Sequence, residues 1–342
     1  MVERESRGLK RYGNLYEEIV SFENLLLASK KAFRGKRDRP KVAEFYFELE
    51  KELIHLREEL LNKTYEPRLL RTFLIYEPTE REIGASDFRD RVVHHAVCNV
   101  IEPIFERSFI YHSYACREGK GTHRAIKDAQ CFSRKYRYFL KCDIRKYFAS
   151  IDHKILKLIL AKKFKDPDLL RLLYIIISSS GPDSNEKGLP IGSLTSQHFA
   201  NLYLDVFDHY IKDSLRIKAY LRYMDDFILF SDEKPELHFL YVKMKNFLGS
   251  ELQLQLKENA TVLAPVTDGV PFLGFRIFPN MIRLKRENKK RALKKIKLVN
   301  KAFCSGKLDE KKYAQSLMSS TEHLKTGNTY RFRKDIFGKM FL

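Results

Sequence analysis

Apolar residues recur at helical spacing in some stretches of the chain and alternate with polar ones in others. Val42, Phe45, Leu49, Leu53, Leu56 and Leu60 follow Pro40 at intervals of three and four, which predicts one helix with a proline in its first turn. Arg71 to Tyr76 (RTFLIY) reads as a strand stopped by Pro78. Asp87 is placed to cap a helix through Val92, Val93, Ala96, Val97 and Val100 towards Pro103. Tyr138 to Asp143 (YFLKCD) is a short strand ending in an acid, and Asp152 then opens a helix through Leu156, Ile159 and Leu160. A further helix is expected over 168–177, a turn-rich loop over 181–188, and a helix from about Ser193 to Leu215.

Ala219 to Ser231 (AYLRYMDDFILFS) consists of two apolar runs flanking a polar pair, which predicts a β-hairpin with Asp225-Asp226 at its turn. A helix near Leu237–Leu248 and strands near Leu252–Leu256 and Phe272–Phe278 complete that region. Residues 283–301 form a basic helix, and the last segment is helical, with Tyr313, Tyr330 and Phe332 among its charges. Helices interleaved with short strands point to an α+β fold rather than a doubly wound sheet. No internal repeat or low-complexity tract is evident.

Composition narrows the partners. The 342 residues carry 64 Lys+Arg against 44 Asp+Glu, a net charge of +20, which suggests a polyanionic partner if it is not simply a solvated basic surface. The five cysteines, at 98, 116, 131, 142 and 304, form no CxxC pair, so neither a disulfide framework nor a structural zinc site is expected. The N-terminus lacks an apolar signal region and no run approaches the ~18 residues of a membrane span, so a cytoplasmic location is expected.

The chemistry centres on Tyr223-Met224-Asp225-Asp226. An Asp-Asp pair in a hairpin can be turn chemistry alone. Two adjacent carboxylates are otherwise costly unless a cation neutralises them, and phosphoryl transfer uses two metal ions ~3.5–4 Å apart. A third acid should come from a neighbouring strand, and Asp143 at the end of YFLKCD is the candidate, unless it is a cap or surface acid.

Taken together these segments resemble the reverse transcriptase family over roughly residues 65–335. YMDD is similar to the family's catalytic box, and KCDIRKYFASIDHKIL to the motif carrying the first catalytic aspartate. Residues 88–126 resemble the fingers region of group II intron-like bacterial enzymes, and FLGFRIF the primer grip at Phe272, Leu273 and Gly274. The resemblance implies a right-hand polymerase with fingers, a palm built on an antiparallel sheet with helices on one face, and a helical thumb. Expected boundaries are a helical N-terminal extension over 1–64, fingers over 65–137, palm over 138–280 with a fingers insertion near 165–190, and thumb over 281–342.

Residue by residue, the resemblance implies that Asp143, Asp225 and Asp226 bind two Mg²⁺ ions, with Mn²⁺ a possible substitute, aided by the backbone carbonyl of Ile144. Phe148 matches the family's steric gate against a ribose 2′-hydroxyl; ordinary core packing is its other reading. Arg81 aligns with a fingers arginine that holds the incoming triphosphate, and arginine's planar fork suits that task. Thr79 stands where the family often has lysine. Lys257 resembles a nucleotide-contacting lysine, with a surface role as its alternative. Arg286, Lys289, Lys290 and Lys294 on the basic helix would track nucleic-acid phosphates.

The stretch Gly188-Leu-Pro-Ile-Gly-Ser-Leu-Thr-Ser-Gln197 departs from most relatives. Ile191 replaces a usual Gln before Gly192, and Gln197 replaces a usual Pro, a pattern similar to diversity-generating retroelement enzymes. Isoleucine cannot hydrogen-bond near the nucleotide sugar, so base selection should loosen. The implied activity is error-prone copying of RNA into cDNA opposite template adenines. The implied partners are an RNA template, a DNA or RNA primer, dNTPs and a small basic accessory variability protein, typically pentameric. A group II intron protein would normally add maturase and DNA-binding regions, sometimes with an HNH nuclease; none is expected here, so neither splicing support nor target cutting is expected. A retron or other group II-like enzyme and a catalytically silent RNA-binding protein are the competing expectations.

Overall fold

The computed structural model describes residues 11–36, 39–76, 80–179 and 186–338. Thr79 and most of the expected loop over 181–188 lie outside them. The chain folds as two compact units, each assembled from separated segments: Met1–Tyr111, Ile144–Arg216 and Lys245–Leu256 in the first, His112–Asp143, Ile217–Met244 and Lys257–Leu342 in the second.

The first unit is mainly helical. Its central helix, Phe88–Ser108, buries Val92, Val93, Ala96, Val97, Ile101 and Phe105. Asp87 caps it by accepting from the Arg89 N–H at 3.2 Å. The helix reaches Pro103, as expected, and continues to Ser108. Asp152 caps the helix His153–Lys163 by accepting from the N–H groups of Lys154 and Ile155. The helix Leu194–His209 continues into a π-helical turn over Tyr210–Ser214. Strands β1 (Arg71–Ile75) and β2 (Arg81–Ala85) form an antiparallel hairpin.

The expected single helix behind Pro40 is two, Pro40–Phe47 and Leu49–Leu61, broken at Glu48 with φ −105° and ψ 31°. Both halves bury the same stripe of Val42, Phe45, Leu53, Leu56 and Leu60, so the break leaves no mark on the periodicity.

The second unit holds the principal sheet. Strands β3 (Tyr138–Asp143), β4 (Tyr220–Tyr223), β5 (Asp226–Ser231) and β6 (Val262–Pro265) pair antiparallel in the order β4-β5-β3-β6. Successive side chains on a strand point to opposite faces. Phe139, Leu221, Ile228 and Phe230 therefore share one face, where they join Ala125, Ile126 and Ala129 of the helix Thr122–Lys135 in a buried core. A smaller sheet of β7 (Val270–Phe272), β8 (Phe275–Ile277) and β9 (Ile282–Leu284) belongs to the same core. The basic helix, expected from residue 283, begins at Arg286 after β9 and runs to Cys304. Helices Glu310–Lys325 and Tyr330–Gly338 follow it.

Two expected strands differ. Leu252–Leu256 is not a strand: the helix Lys234–Leu252 occupies its start, and Gln253 then turns with φ 50°. Leu252, Leu254 and Leu256 are buried, but Leu256 makes only an isolated bridge to Ile144. The alternation is that of an extended segment burying every second residue without a ladder. The expected strand Phe272–Phe278 is a hairpin of β7 and β8, because Leu273 and Gly274 both take positive φ, 46° and 86°. All five cysteines are free thiols, and among the described residues no helix is long and apolar enough to cross a membrane.

Candidate active site

Strand register brings the acids together. Asp143, the last residue of β3, pairs directly with Asp226, the first residue of β5. Side chains so opposed sit roughly 4.5–5.5 Å apart at Cβ. Asp226 also pairs with Tyr223 across the hairpin, so the turn is Met224-Asp225, not the expected Asp225-Asp226. That one-residue difference puts Asp226 on the ladder, on the face shared by Ile228 and Phe230, and leaves Asp225 at the tip. The cause is Met224, which takes the left-handed φ of 56° at the first turn position. Two-residue hairpin turns need a positive φ there to match strand twist.

The turn has a buried support that sequence reasoning missed. Arg222 is fully buried and donates from Nη1 to the Met224 carbonyl at 3.0 Å. Its own backbone is fixed by bonds from Arg222 N–H to His112 O and from Tyr114 N–H to Arg222 O. Arginine reads as a surface residue, and only its place in the alternation of AYLRYM hinted otherwise.

Lys141 is the second residue that was missed. It lies two positions before Asp143, hence on the same face of β3, and its Nζ is 2.9 Å from Asp226 Oδ1. Burial, above all, pushes the Asp226 carboxyl up to about 7; Lys141 opposes the shift, and Asp143 and Asp225 add to it. Asp226 Oδ1 is buried and faces the Lys141 ammonium at 2.9 Å. Lys285 also belongs to this neighbourhood. Its ammonium pKa is lowered by local desolvation and by Lys141, against the pull of Asp226 and Glu287.

Among the described residues no three His, Cys, Asp or Glu side chains form a ready metal cage. The donor set nonetheless suits a divalent cation. Asp143 and Asp226 are paired at one end of the sheet with Asp225 in the adjoining turn, and the buried Asp226 Oδ1 faces the Lys141 ammonium.

The remaining expected site residues fall as follows. In the second unit, Lys257 is exposed and its N–H donates to the Asp143 carbonyl at 2.8 Å. Phe272, Leu273 and Gly274 form the β7–β8 turn, whose Gly274 carbonyl accepts from Lys285 N–H and Asn288 Nδ2, each at 3.1 Å. Asn288 had not been singled out. Arg286, Lys289, Lys290 and Lys294 are exposed on their helix, and Lys289 lies 4.7 Å from the centre of the Phe332 ring.

In the first unit, Ile144 is buried and Phe148 is half-buried in the short helix Tyr147–Ser150. The Leu189 N–H donates to the Phe148 carbonyl and the Gly188 N–H to Ile151, both at 2.8 Å, so the loop carrying Ile191 is tied to the Phe148 segment. Ile191 is half-buried, and its carbonyl accepts from the Gly84 N–H of β2 at 3.0 Å. Gly192 has φ 114°, which strains any side chain there, and a Cβ would also crowd Ile83 Cγ2 of β2 at 3.0 Å. Gln197 is half-buried near the start of the helix Leu194–His209, and Arg81 is exposed at the start of β2.

Comparison with known proteins identifies the family and the fold. The family described as Reverse transcriptase (RNA-dependent DNA polymerase) matches residues 77–277. Protein YkfC of Escherichia coli (strain K12) is 26% identical over 307 residues, covering 76% of this chain and 80% of its own length. The group II intron-encoded protein LtrA of Lactococcus lactis subsp. cremoris is 22% identical over 298 residues, covering 67% of this chain. The chain spans half of LtrA's length and 16% of a putative COX1/OXI3 intron 2 protein of Saccharomyces cerevisiae. In fold it is similar to telomerase from Candida albicans, with a TM-score of 0.51 and 10% identity over 69% of this chain and 52% of that one. That likeness identifies the right-hand polymerase fold. With an acid-bearing antiparallel sheet and a family match over more than half its length, the chain belongs to the reverse transcriptase family of RNA-dependent DNA polymerases.

Proposed function

We propose that this reverse transcriptase makes cDNA by nucleotidyl transfer at Asp143, Asp225 and Asp226, and copies with relaxed fidelity opposite template adenines as part of a diversity-generating retroelement. The observation that carries the catalytic half is the direct pairing of Asp143 with Asp226, one residue beyond the turn that holds Asp225. These carboxylates, with the Ile144 carbonyl, would hold two Mg²⁺ ions, or Mn²⁺ in their place. Such ions, when bound, acidify the primer 3′-hydroxyl and neutralise the leaving pyrophosphate.

The chain's own residues do the rest. The three acids hold negative charge at a fixed strand end. Arg81 and Lys257 supply positive charge for the triphosphate. The half-buried Phe148 ring presents bulk against a 2′-hydroxyl, while Gly192 and Gln197 shape the pocket beside Ile191. Phe272, Leu273 and Gly274 grip the primer, and Arg286, Lys289, Lys290 and Lys294 follow the backbone phosphates. In this reading residues 1–64 are a helical extension, 65–137 fingers, 138–280 palm with a fingers insertion near 165–190, and 281–342 thumb. The template is RNA, and a small basic accessory protein is the working partner.

Fidelity rests on Ile191. Its backbone is tied to β2, and its side chain offers neither donor nor acceptor. Losing one polar contact to the nucleotide relaxes discrimination by about 1–3 kcal/mol. Primer extension on an RNA template with Mg²⁺ tests both halves. Asp225→Ala should abolish extension, and an active variant would remove the catalytic assignment. Sequenced cDNA from the wild type should carry errors concentrated opposite adenine, and Ile191→Gln should suppress them. A faithful group II-like or retron enzyme, favoured by the likeness to LtrA, predicts an even error spectrum in both proteins.

A further inference from the structure

Lys141 has no part in the nucleotide chemistry set out above, yet it makes a close charged contact in the acidic cluster. Its Nζ is 2.9 Å from Asp226 Oδ1, and the two side chains are only 13% and 19% exposed. The placement follows from the strand. Lys141 and Asp143 are two apart on β3, so they share a face, and Asp226 stands opposite Asp143. The ammonium is thus diagonal to Asp226 across β3 and β5, within reach of a long side chain. The Lys141 backbone is held on both sides, paired with Ile228 of β5 and Val262 of β6, so its stem cannot drift.

We propose that Lys141 is a positioning residue that serves as a placeholder cation: its ammonium holds Asp226 in the metal-free centre and yields Oδ1 when a divalent ion binds. The inference rests on the assignment of Asp143, Asp225 and Asp226 as metal ligands. Without a cation, three carboxylates at one strand end repel each other, and the desolvated Asp226 has most to lose. An ammonium neutralises one charge and cannot coordinate. A divalent ion supplies two charges and takes carboxylate oxygens directly.

The geometry favours exchange over a permanent bridge. The contact is a single ammonium approach to one carboxylate oxygen, Asp226 Oδ1, of the kind a directly coordinating divalent ion displaces. Lys285 is the other cation that feels Asp226, but its ammonium is set against Lys141, and its backbone N–H is bonded to Gly274. Glu287 and Arg276 are the remaining charges acting on Lys285. Lys141 therefore competes with the metal for one oxygen and raises the metal concentration needed to load the centre.

The test is Mn²⁺ binding to the full chain without nucleic acid, read from the free-ion EPR signal. Wild type is compared with Lys141→Met and Asp226→Asn, and Lys141→Gln stands in should the methionine variant not fold. Removing the competitor should tighten Mn²⁺ binding by about fivefold or more, as expected for loss of one partly buried ion pair. Asp226→Asn should weaken binding. If Asp226→Asn weakens binding while both Lys141 variants leave it unchanged or weaker, the placeholder role is overturned and the carboxylate site stands. If Asp226→Asn binds Mn²⁺ like the wild type, the ligand assignment fails, and the placeholder role with it.

Discussion

Two hairpins of the second unit turn the chain in two residues, β4–β5 through Met224-Asp225 and β7–β8 through Leu273-Gly274. In β7–β8 both turn residues have positive φ, 46° and 86°, the pattern of a type I′ turn, which matches the twist of its strands. Its glycine sits where a Cβ would lie 2.1 Å from Asn288 Nδ2. In β4–β5 only Met224 has positive φ, and no glycine is present to accommodate it. A side chain in that region costs roughly 1–2 kcal/mol. The β7–β8 turn is shaped by close packing against its own neighbours. The β4–β5 turn, strained at Met224 as β7–β8 is at Leu273, carries crowded charge as well, and is held by the buried Arg222 with Lys141 beside Asp226. Strain persists where the surrounding structure fixes it, and such places are often functional.

The largest expected effect comes from removing charge at the β4–β5 strand end. Asp226→Asn should lower primer extension by about a thousandfold, since metal-held charge stabilisation is worth several kcal/mol. Its effect on stability should have the opposite sign. The folded pKa of Asp226 is raised from 3.8 to about 7. A raised acid pKa favours the folded state while the group is protonated. That contribution is fully present below 3.8 and lost as pH rises through about 7. Metal-free Asp226→Asn, which keeps a neutral side chain, should therefore melt higher than wild type above pH 7. The advantage should be roughly 2–4 kcal/mol and should vanish towards pH 4. Thermal melts in chelator across that range measure it. A pH-independent difference would mean that Asp226 is not a strained charge.

How much of this was legible beforehand depends on the kind of signal. YFLKCD and the hairpin over 219–231 were readable because apolar runs ended in acids, and the ladder pairs Asp143 with Asp226. The caps Asp87 and Asp152 were readable from local chemistry alone. The exact turn was not: whether Met224 or Asp225 opens it depends on register, and a one-residue slip exchanges the faces of a strand. β6 was missed because VLAP is short and ends in proline, while LQLQL alternates better but finds no ladder. Lys141 and Arg222 were missed because charged residues read as solvated, and their burial is decided by distant parts of the chain. Two-residue periodicity already put Lys141 on the face of Asp143, so that contact was within reach of sequence reasoning.

A smaller effect tests what holds the strained turn. Arg222→Met keeps an unbranched stem but removes the donor to the Met224 carbonyl. Removing one partner of such a bond costs about 1–3 kcal/mol. Melting temperature should fall accordingly, and extension should fall further than stability alone explains, because Asp225 follows Met224 directly. Normal activity at a temperature where the variant is fully folded would show that the turn holds its shape without Arg222.

The smallest expected effect lies in the other hairpin, and it separates packing from charge. Gly274→Ala meets two costs at once. Alanine at φ 86° is strained, and its Cβ displaces Asn288 Nδ2, which now donates to the Gly274 carbonyl at 3.1 Å. Asn288 is the end of a flexible side chain and can move aside, so the backbone term dominates, at roughly 1–2 kcal/mol. Melting should drop by a few degrees, and the drop should be the same at pH 5 and pH 8, because no titrating group changes its surroundings. Asp226→Asn and Gly274→Ala then differ in sign and in pH response, although both alter a two-residue turn. If the Gly274 penalty instead followed pH, Lys285, whose N–H also bonds the Gly274 carbonyl, would be carrying charge effects into this turn, and the division between a packed hairpin and a charged one would fail.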